Sequence, residues 1–323
     1  MSIKILVTGG SGFIGTNLLE ELVIKGHEVL NIDIKKPMNV KQLSLWKSVD
    51  ITDFKSFREA VIGFAPDYIV HLAARTDLDG KTVNEYPANT IGVENLMSIT
   101  KEIPELKKVI ITSSKFVNPN GYVPTSQFDY RPHTIYGESK VITEKEVWKN
   151  KPHCDWCIIR PTSIWGPWFG VPYRNFFDMV MKRLYFHIGN TRCFKTYGYI
   201  GNSVYQIERL LFTDTLDEEN KVFYIGDEPA YEINEWADEI ADELGFKIYK
   251  MPIIVFKTAA RIGDLLKKIK IPFPMTTFRY MNMTHDGVND VSGTYKVIPT
   301  VPYSRHEGTK RTIEWIREYE EKR

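Results

Sequence analysis

A tyrosine and a lysine stand four residues apart in Tyr136-Gly137-Glu138-Ser139-Lys140. On a helix this spacing puts both side chains on one face, where an ammonium can stabilise a phenolate whose unperturbed pKa is about 10. Such a tyrosine can work as a general acid or base near neutrality. Upstream, Val109 to Thr112 read as a strand running into Ser113-Ser114, whose hydroxyls could hold an alcohol or ketone at the carbon where the tyrosine moves a proton. Chemistry of that kind also needs a hydride carrier, and the N-terminus offers a place for one. Ile3 to Val7 read as a buried strand, and Thr8-Gly9-Gly10-Ser11-Gly12-Phe13-Ile14-Gly15 as a glycine-rich turn opening a helix. Glycine lets backbone approach a pyrophosphate closely, and the helix N-terminus presents free N–H groups to the anion. A second strand, Glu28 to Ile32, ends in Asp33, about 20 residues after the glycines, where a carboxylate can accept hydrogen bonds from an adenosine ribose.

The elements that must position these groups follow from periodicity. Apolar runs near 3–8, 28–32, 68–71, 109–112 and 156–159 alternate with helical stretches. In 53–64 the residues Phe54, Phe57, Val61 and Phe64 share one helical face, with Thr52 or Asp53 as cap. Alternation of this kind predicts an α/β fold, a Rossmann-type doubly wound parallel sheet. Gly9, Asp33, the turn from His71 to Ala74, and Ser113-Ser114 then converge at the carboxyl ends of the strands. After Arg160-Pro161 the sequence becomes loop-rich and aromatic, and helical stretches recur around 233–244, 253–268 and 308–321. We expect a dinucleotide-binding domain over 1–165, completed by 199–228. A smaller C-terminal substrate-binding lobe would take 166–198 and 229–323. Ile253 to Phe256, with lysines nearby, is expected to face a core rather than a membrane surface.

Composition narrows the function. The 323 residues carry a net charge of +1, which leaves no broad electrostatic footprint for nucleic acid. No apolar run approaches the ~20 residues needed to span a bilayer, and the first strand begins at Ile3, so neither a leader nor a membrane partner is expected. Three cysteines do not suggest a disulfide framework, which points to a reducing, cytoplasmic setting. Cys154-Asp155-Trp156-Cys157 spells C-x-x-C after His153, but no second pair accompanies it and Trp156 to Ile159 read as a buried strand. Small core residues are expected there, and no metal.

Taken together, the motifs resemble those of the extended short-chain dehydrogenase/reductase family, the NAD(P)-dependent nucleotide-sugar epimerases, dehydratases and reductases. The resemblance runs nearly end to end. Thr8 to Gly15, with Phe13 and Ile14, match the family's cofactor loop; Asp50-Ile51 resembles its adenine-contacting acidic segment, and His71-Leu72-Ala73-Ala74 its turn beside the cofactor. Asn89-Thr90-Ile91-Gly92 resembles its N-V-x-G helix, Ser114, Tyr136 and Lys140 its catalytic triad, and Arg160 to Pro167 its R-P-x-N-V-Y-G-P segment. Residues 301–308 and 312–315 resemble its closing pattern. The resemblance implies catalysis by Ser114, Tyr136 and Lys140. It implies cofactor binding by Gly9, Gly12, Phe13, Ile14, Gly15, Asp33, Asp50, Ile51, Leu72, Ala73, Ala74 and Asn89, together with Tyr136 and Lys140. On the substrate side it implies Ser114, Ser163, Arg192, Lys195 and Arg279, and it leads us to expect a homodimer paired through 86–102 and 136–148.

Departures from the family pattern sharpen the expectation. Lys115-Phe116 stands where dehydratases carry an Asp-Glu pair, and 165–177 lacks the histidine used for epimerisation at C3 and C5. Lys195 replaces a phosphate-binding arginine, a point charge in place of a fork, with Arg192 nearby. Ser163 replaces an asparagine near the substrate, and Asn118 a tyrosine, while Trp165, Trp168 or Tyr173 could shape the pocket. The expected activity is an NAD-dependent nucleotide-sugar epimerase, at C4 through a transient ketone. An NAD(P)H-dependent 4-ketoreductase is the alternative, and a non-catalytic NAD-binding regulator a third. Asp33 favours NAD over NADP because a carboxylate repels a 2'-phosphate, an argument that Lys35 and Lys36 weaken.

Overall fold

A computed structural model describes residues 2–321 apart from 214, 215, 218, 270, 272 and 274. The first half alternates as read from the sequence: β1 (Lys4–Thr8), α1 (Phe13–Ile24), β2 (Glu28–Asp33), β3 (Trp46–Ser48), α2 (Phe54–Phe64), β4 (Tyr68–His71), α3 (Ile91–Thr100), β5 (Lys108–Thr112), α4 (Ile135–Lys149) and β6 (Asp155–Pro161). Shorter elements follow: β7 (Ser163–Trp165), α5 (Arg174–Met181), β8 (His187–Ile188), β9 (Phe194–Lys195), β10 (Tyr197–Tyr199), α6 (Ile200–Phe212), β11 (Val222–Ile225), β12 (Tyr231–Glu232) and α7 (Ile233–Asp242). The chain ends in β13 (Lys250–Met251), α8 (Ile253–Lys268), α9 (Thr277–Thr284), α10 (Ser292–Val297) and α11 (Arg305–Glu321).

Seven strands form one sheet in the order β11-β6-β5-β4-β1-β2-β3, every pair parallel. The order reverses between β1 and β4, so a crevice opens beyond their carboxyl ends, where Thr8 pairs with both Ile32 and His71. Alternate strand residues feed two cores. Ile5 and Val7 join Leu18 and Leu22 of α1 and Ile207 of α6 on one face, while Leu6 joins Phe57, Leu96 and Val147 from α2, α3 and α4 on the other. This double covering is what a parallel sheet of near-continuous apolar strands requires.

Several expectations are corrected by packing. Asp53 does cap α2, accepting from the N–H groups of Lys55 and Ser56, and Phe57, Ala60 and Val61 are buried with Phe64 packed against them, but Phe54 at the first turn is 43% exposed. Trp165 is not in a pocket: it is buried among Phe177, Tyr199 and Trp236. Trp168 packs on Trp315 of α11. On α8 only Phe256, Ala260 and Gly263 are buried, while Ile253, Ile254 and Val255 lie exposed, because α9 covers just one stripe of the helix. Cys157 lies in the core, and burial pushes both Cys154 and Cys157 up to about 12, so neither is a ready thiolate. Among the described residues no group of three or more metal-ligating side chains gathers, and no helix is long and apolar enough to cross a membrane.

Candidate active site

The crevice is floored by the glycine turn. Gly9 takes a positive φ of 73°, and its N–H donates to the Ile32 carbonyl at 2.8 Å, which ties the turn to β2. A Cβ on Gly9 would meet the backbone of Leu72 and Ala73 at 2.5 to 2.7 Å, so only glycine admits the 72–74 turn above it. Leu72 N–H donates to Thr8 O, and Ala73 N–H to Thr8 Oγ1, which holds that turn in place. Gly12 is different. It caps α1 with no side chain, and a Cβ there would meet only the Gly9 carbonyl, at 3.3 Å, so the space in front of the helix N-terminus is open. No acidic residue occupies the first turn of α1, and an anion is therefore opposed by no like charge there.

At the end of β2 the Asp33 carboxylate accepts the N–H of Ser11 at 3.2 Å and of Lys35 at 2.9 Å. Burial raises its pKa against the pull of those N–H groups, yet each oxygen keeps a lone pair for a ribose hydroxyl. Asp50 closes a local turn by accepting from Thr52, and the buried Ile51 packs on Gly92 at the start of α3. The residues present thus fit a dinucleotide: a bare helix terminus for its diphosphate and a carboxylate for its ribose. Asn89 plays another part. Its buried amide accepts from Arg75 N–H at 2.9 Å and donates to Arg75 O and to Ser139 Oγ, so it clamps the end of the 72–75 turn to α4.

Tyr136 and Lys140 sit in the first turns of α4, both buried, after the N-cap Thr134 accepts from Gly137 N–H. A Cβ on Gly137 would collide with the Phe116 carbonyl, so glycine allows the 3-10 turn Lys115–Val117 to lie against the start of α4. That contact brings Ser114, at the head of the turn, beside Tyr136, near enough for its hydroxyl to favour the phenolate. Lys140 Nζ donates to the Thr112 carbonyl at 2.9 Å. Burial dominates both groups: it pushes Tyr136 up to about 12, against the pull of the Ser114 hydroxyl, and Lys140 down to about 7, against the charge of Glu144. The lysine does not lower the tyrosine's pKa as its spacing suggested, because its ammonium is turned to a carbonyl. His71 is neutral, driven to about 3 by burial and then by Lys140, and it hydrogen-bonds Thr8 Oγ1 at 2.7 Å. A buried ion pair, Arg160 to Glu144 at 2.7 Å, fastens α4 to β6.

The substrate side holds a residue that spacing did not single out. Lys115 Nζ donates to Ser163 Oγ at 2.8 Å, and the Tyr173 hydroxyl lies near the same serine. Burial, helped by the charge of Lys195, pushes Lys115 down to about 8. Lys195 on β9 makes no side-chain hydrogen bond or ion pair among the described residues, and its Nζ would lie 3.4 Å from a Cβ on Gly287. Two amines thus act on the same side, Lys115 on the turn after β5, hydrogen-bonded to Ser163, and Lys195 on β9, close enough for its charge to be felt at Lys115. Arg192 does not join them: exposed, it pairs with Glu235 at 3.2 Å and lines a separate cavity of about 200 Å³ with His187. Arg279 is exposed on α9. Beyond Lys195 a cavity of about 650 Å³ is lined by Thr196, Asp227, Glu228, Asp286 and Asn289.

A doubly wound sheet with a glycine cradle at its switch point and a Ser-Tyr-Lys cluster beyond the end of β5 defines a dinucleotide-binding α/β protein of the Rossmann type. The chain belongs to the NAD dependent epimerase/dehydratase family, whose model matches residues 5–203. A 3-beta-hydroxysteroid dehydrogenase of Mycolicibacterium neoaurum is 32% identical over 55% of this chain, and the match spans about half of that relative, 52%. An N-acetyl-alpha-D-glucosaminyl-diphospho-ditrans,octacis-undecaprenol 4-epimerase of Escherichia coli O157:H7 is 26% identical over 98% of this chain and 96% of its own length. Among solved structures, a UDP-glucuronic acid 4-epimerase from Bacillus cereus in complex with NAD superposes with a TM-score of 0.73 at 20% identity, covering 98% of this chain and 97% of that one.

Proposed function

We propose that this chain is an NAD-dependent 4-epimerase acting on a sugar linked to a diphosphate, with a nucleotide sugar as the substrate. The observation that carries this reading is Ser114 set beside the buried Tyr136, with Lys140 one turn further along the same helix and with Lys115 and Lys195 presenting positive charge on the substrate side. NAD, when bound, supplies the acceptor and donor of hydride. Gly12 and the N-terminus of α1 would hold its diphosphate and Asp33 its adenosine ribose. Ser114 would hold the reacting hydroxyl, Tyr136 would take its proton and give it back to the same oxygen once the sugar has turned its other face to the cofactor, and Lys140 lies one turn along the same helix. In this reading residues 1–165 with 199–228 bind the cofactor, and 166–198 with 229–323 form the substrate lobe. The assembly is a cytoplasmic homodimer through α3 and α4. Lys115 and Lys195 meet the anionic part of the substrate. The carboxylates of the 650 Å³ cavity would repel phosphate but can accept from base and ribose donors, which supports a nucleoside.

A second reading has its own support. The relative that aligns over 96% of its length acts on a sugar diphosphate carried by a polyprenol, and α9, which ends beside Lys195, carries exposed apolar side chains. The experiment is direct: the purified chain, supplied with NAD, is offered UDP-, GDP-, CDP- and dTDP-sugars and a prenyl diphosphate sugar, and the products are read by NMR. Interconversion of C4 epimers without net NADH supports epimerisation, and the panel names the carrier. Stoichiometric consumption of NADH or NADPH with a 4-keto sugar would make the chain a ketoreductase. Binding of NAD without turnover of any sugar would leave the regulator.

A further inference from the structure

The segment 253–285 stands apart from the rest of the molecule in two ways. Ten of the twenty-seven large apolar side chains exposed among the described residues fall within these 33 positions. The segment also holds six lysines and arginines against one aspartate, a net of +5 in a chain whose total is +1. On α8 these properties are sorted by face. Ile254, Val255, Ile262, Leu265 and Ile269 fall within about 100° of arc at 3.6 residues per turn. Ile254 and Leu265 are each 64% exposed and Ile269 is 62% exposed. Lys257, Arg261 and Lys268 run along one flank of this arc, all exposed. On the opposite side Phe256, Ala260 and Gly263 are buried. Gly263 lies against Met275, and Asp264 accepts Thr277 N–H at 3.0 Å, which fixes α9 to α8. Ile271 and Phe273 in the connection and Phe278 on α9, 73% exposed, are further apolar side chains exposed on the hairpin.

We propose that this α8–α9 hairpin docks on an anionic lipid surface. An apolar arc bordered by Lys and Arg is the pattern by which a helix lies in a bilayer interface, apolar face among the acyl chains and cations at the headgroups. A second copy of the chain fits worse. In a two-fold contact the arc would meet itself, setting Lys257, Arg261 and Lys268 against their own copies with only Asp264 to answer them, and that carboxylate already serves Thr277. The hairpin is also tied to the substrate side: Cys193 Sγ lies 3.2 Å from His285 O, and Phe194 N–H donates to Asp286 at 2.7 Å, next to Lys195. Docking would therefore set the cleft close to the bilayer surface. The proposal stands whether the substrate is soluble or lipid-borne.

The test is co-sedimentation of the full chain with phosphatidylcholine vesicles with and without phosphatidylglycerol. The chain should bind the anionic vesicles, bind the neutral ones weakly, and release in high salt. Ile262→Ser with Leu265→Ser, and separately Lys257→Glu with Arg261→Glu, should each weaken binding by about tenfold or more, while Ile24→Ser, an exposed apolar change on α1, leaves it intact. NAD binding and the melting temperature, measured on each variant, should be unchanged, which excludes misfolding as the cause. No binding of the wild type to anionic vesicles, or binding that none of the hairpin substitutions alters, overturns the proposal. So does a concentration-dependent self-association in the absence of lipid that the same substitutions abolish, which would make the face a contact between copies.

Discussion

In the proposed mechanism Tyr136, set beside Ser114 and pushed up to about 12 by burial, carries the proton of the reacting hydroxyl. Tyr136→Phe should keep NAD affinity and lose roughly 10²- to 10⁴-fold in turnover, the scale of a general acid-base group. Full turnover by that variant, measured by epimer NMR, would remove Tyr136 from the chemistry. Lys115 gives a pH signature. With its amine near 8, it is charged below that pH and neutral above it, so kcat/KM for an anionic substrate should fall as pH rises through about 8. In Lys115→Met that limb should vanish, while changes due to Lys140 near 7 persist in both profiles. A wild-type profile flat across pH 8 would detach Lys115 from the substrate. Ser114, Tyr136 and Lys140 were legible because their spacing along the chain carries the chemistry. Lys115 was not, because its environment comes from Ser163 on β7 and Lys195 on β9, contacts that only the folded chain creates.

Single glycines decide whether elements meet. In most helices Gly→Ala stabilises by about 1 kcal/mol, but at Gly137 the added methyl would collide with the Phe116 carbonyl and force α4 away from the turn that carries Ser114. We predict that Gly137→Ala lowers both the melting temperature and turnover. A stabilised, fully active variant would show that this close approach does not hold the Ser114–Tyr136 pair together. At Gly12 the opposite holds, since a side chain there meets only the Gly9 carbonyl at 3.3 Å. Gly12→Val should therefore fold normally and lose NAD binding, by calorimetry, because the valine fills the space before the α1 terminus. Retained affinity would move the diphosphate elsewhere. Strands β1, β2, β4, β5 and β6 were readable from apolar runs, as were α2, α7, α8 and α11 from their period. Strand β3, three residues with only Trp46 half-buried, carries too few apolar positions to show a period. Phe54 and Trp165 misled for a shared reason: apolar type says that a side chain can be buried, and only the neighbouring element decides where.

Across the whole molecule, the cofactor cradle and the amines on the substrate side are built on separate parts of the chain. Gly9, Gly12 and Asp33 lie at the ends of β1 and β2, whereas Lys195 sits on β9, which pairs with β12 outside the seven-stranded sheet. A charge change at Lys195 should therefore act on one ligand only. We predict that Lys195→Glu leaves the affinity for NAD within about twofold of wild type and weakens the diphosphate sugar by at least about tenfold, or 1.4 kcal/mol. The second effect has two sources: loss of an attractive charge, and a carboxylate set where phosphate oxygens would lie. Relief of the Lys195 charge should also raise the pKa of Lys115, moving its limb of the pH profile upward, a change that loss of a merely structural lysine would not produce. Calorimetry with both ligands on one preparation decides the matter. Equal weakening of NAD and sugar would mean that the two sites are not independent, and unchanged sugar affinity would move the diphosphate away from β9.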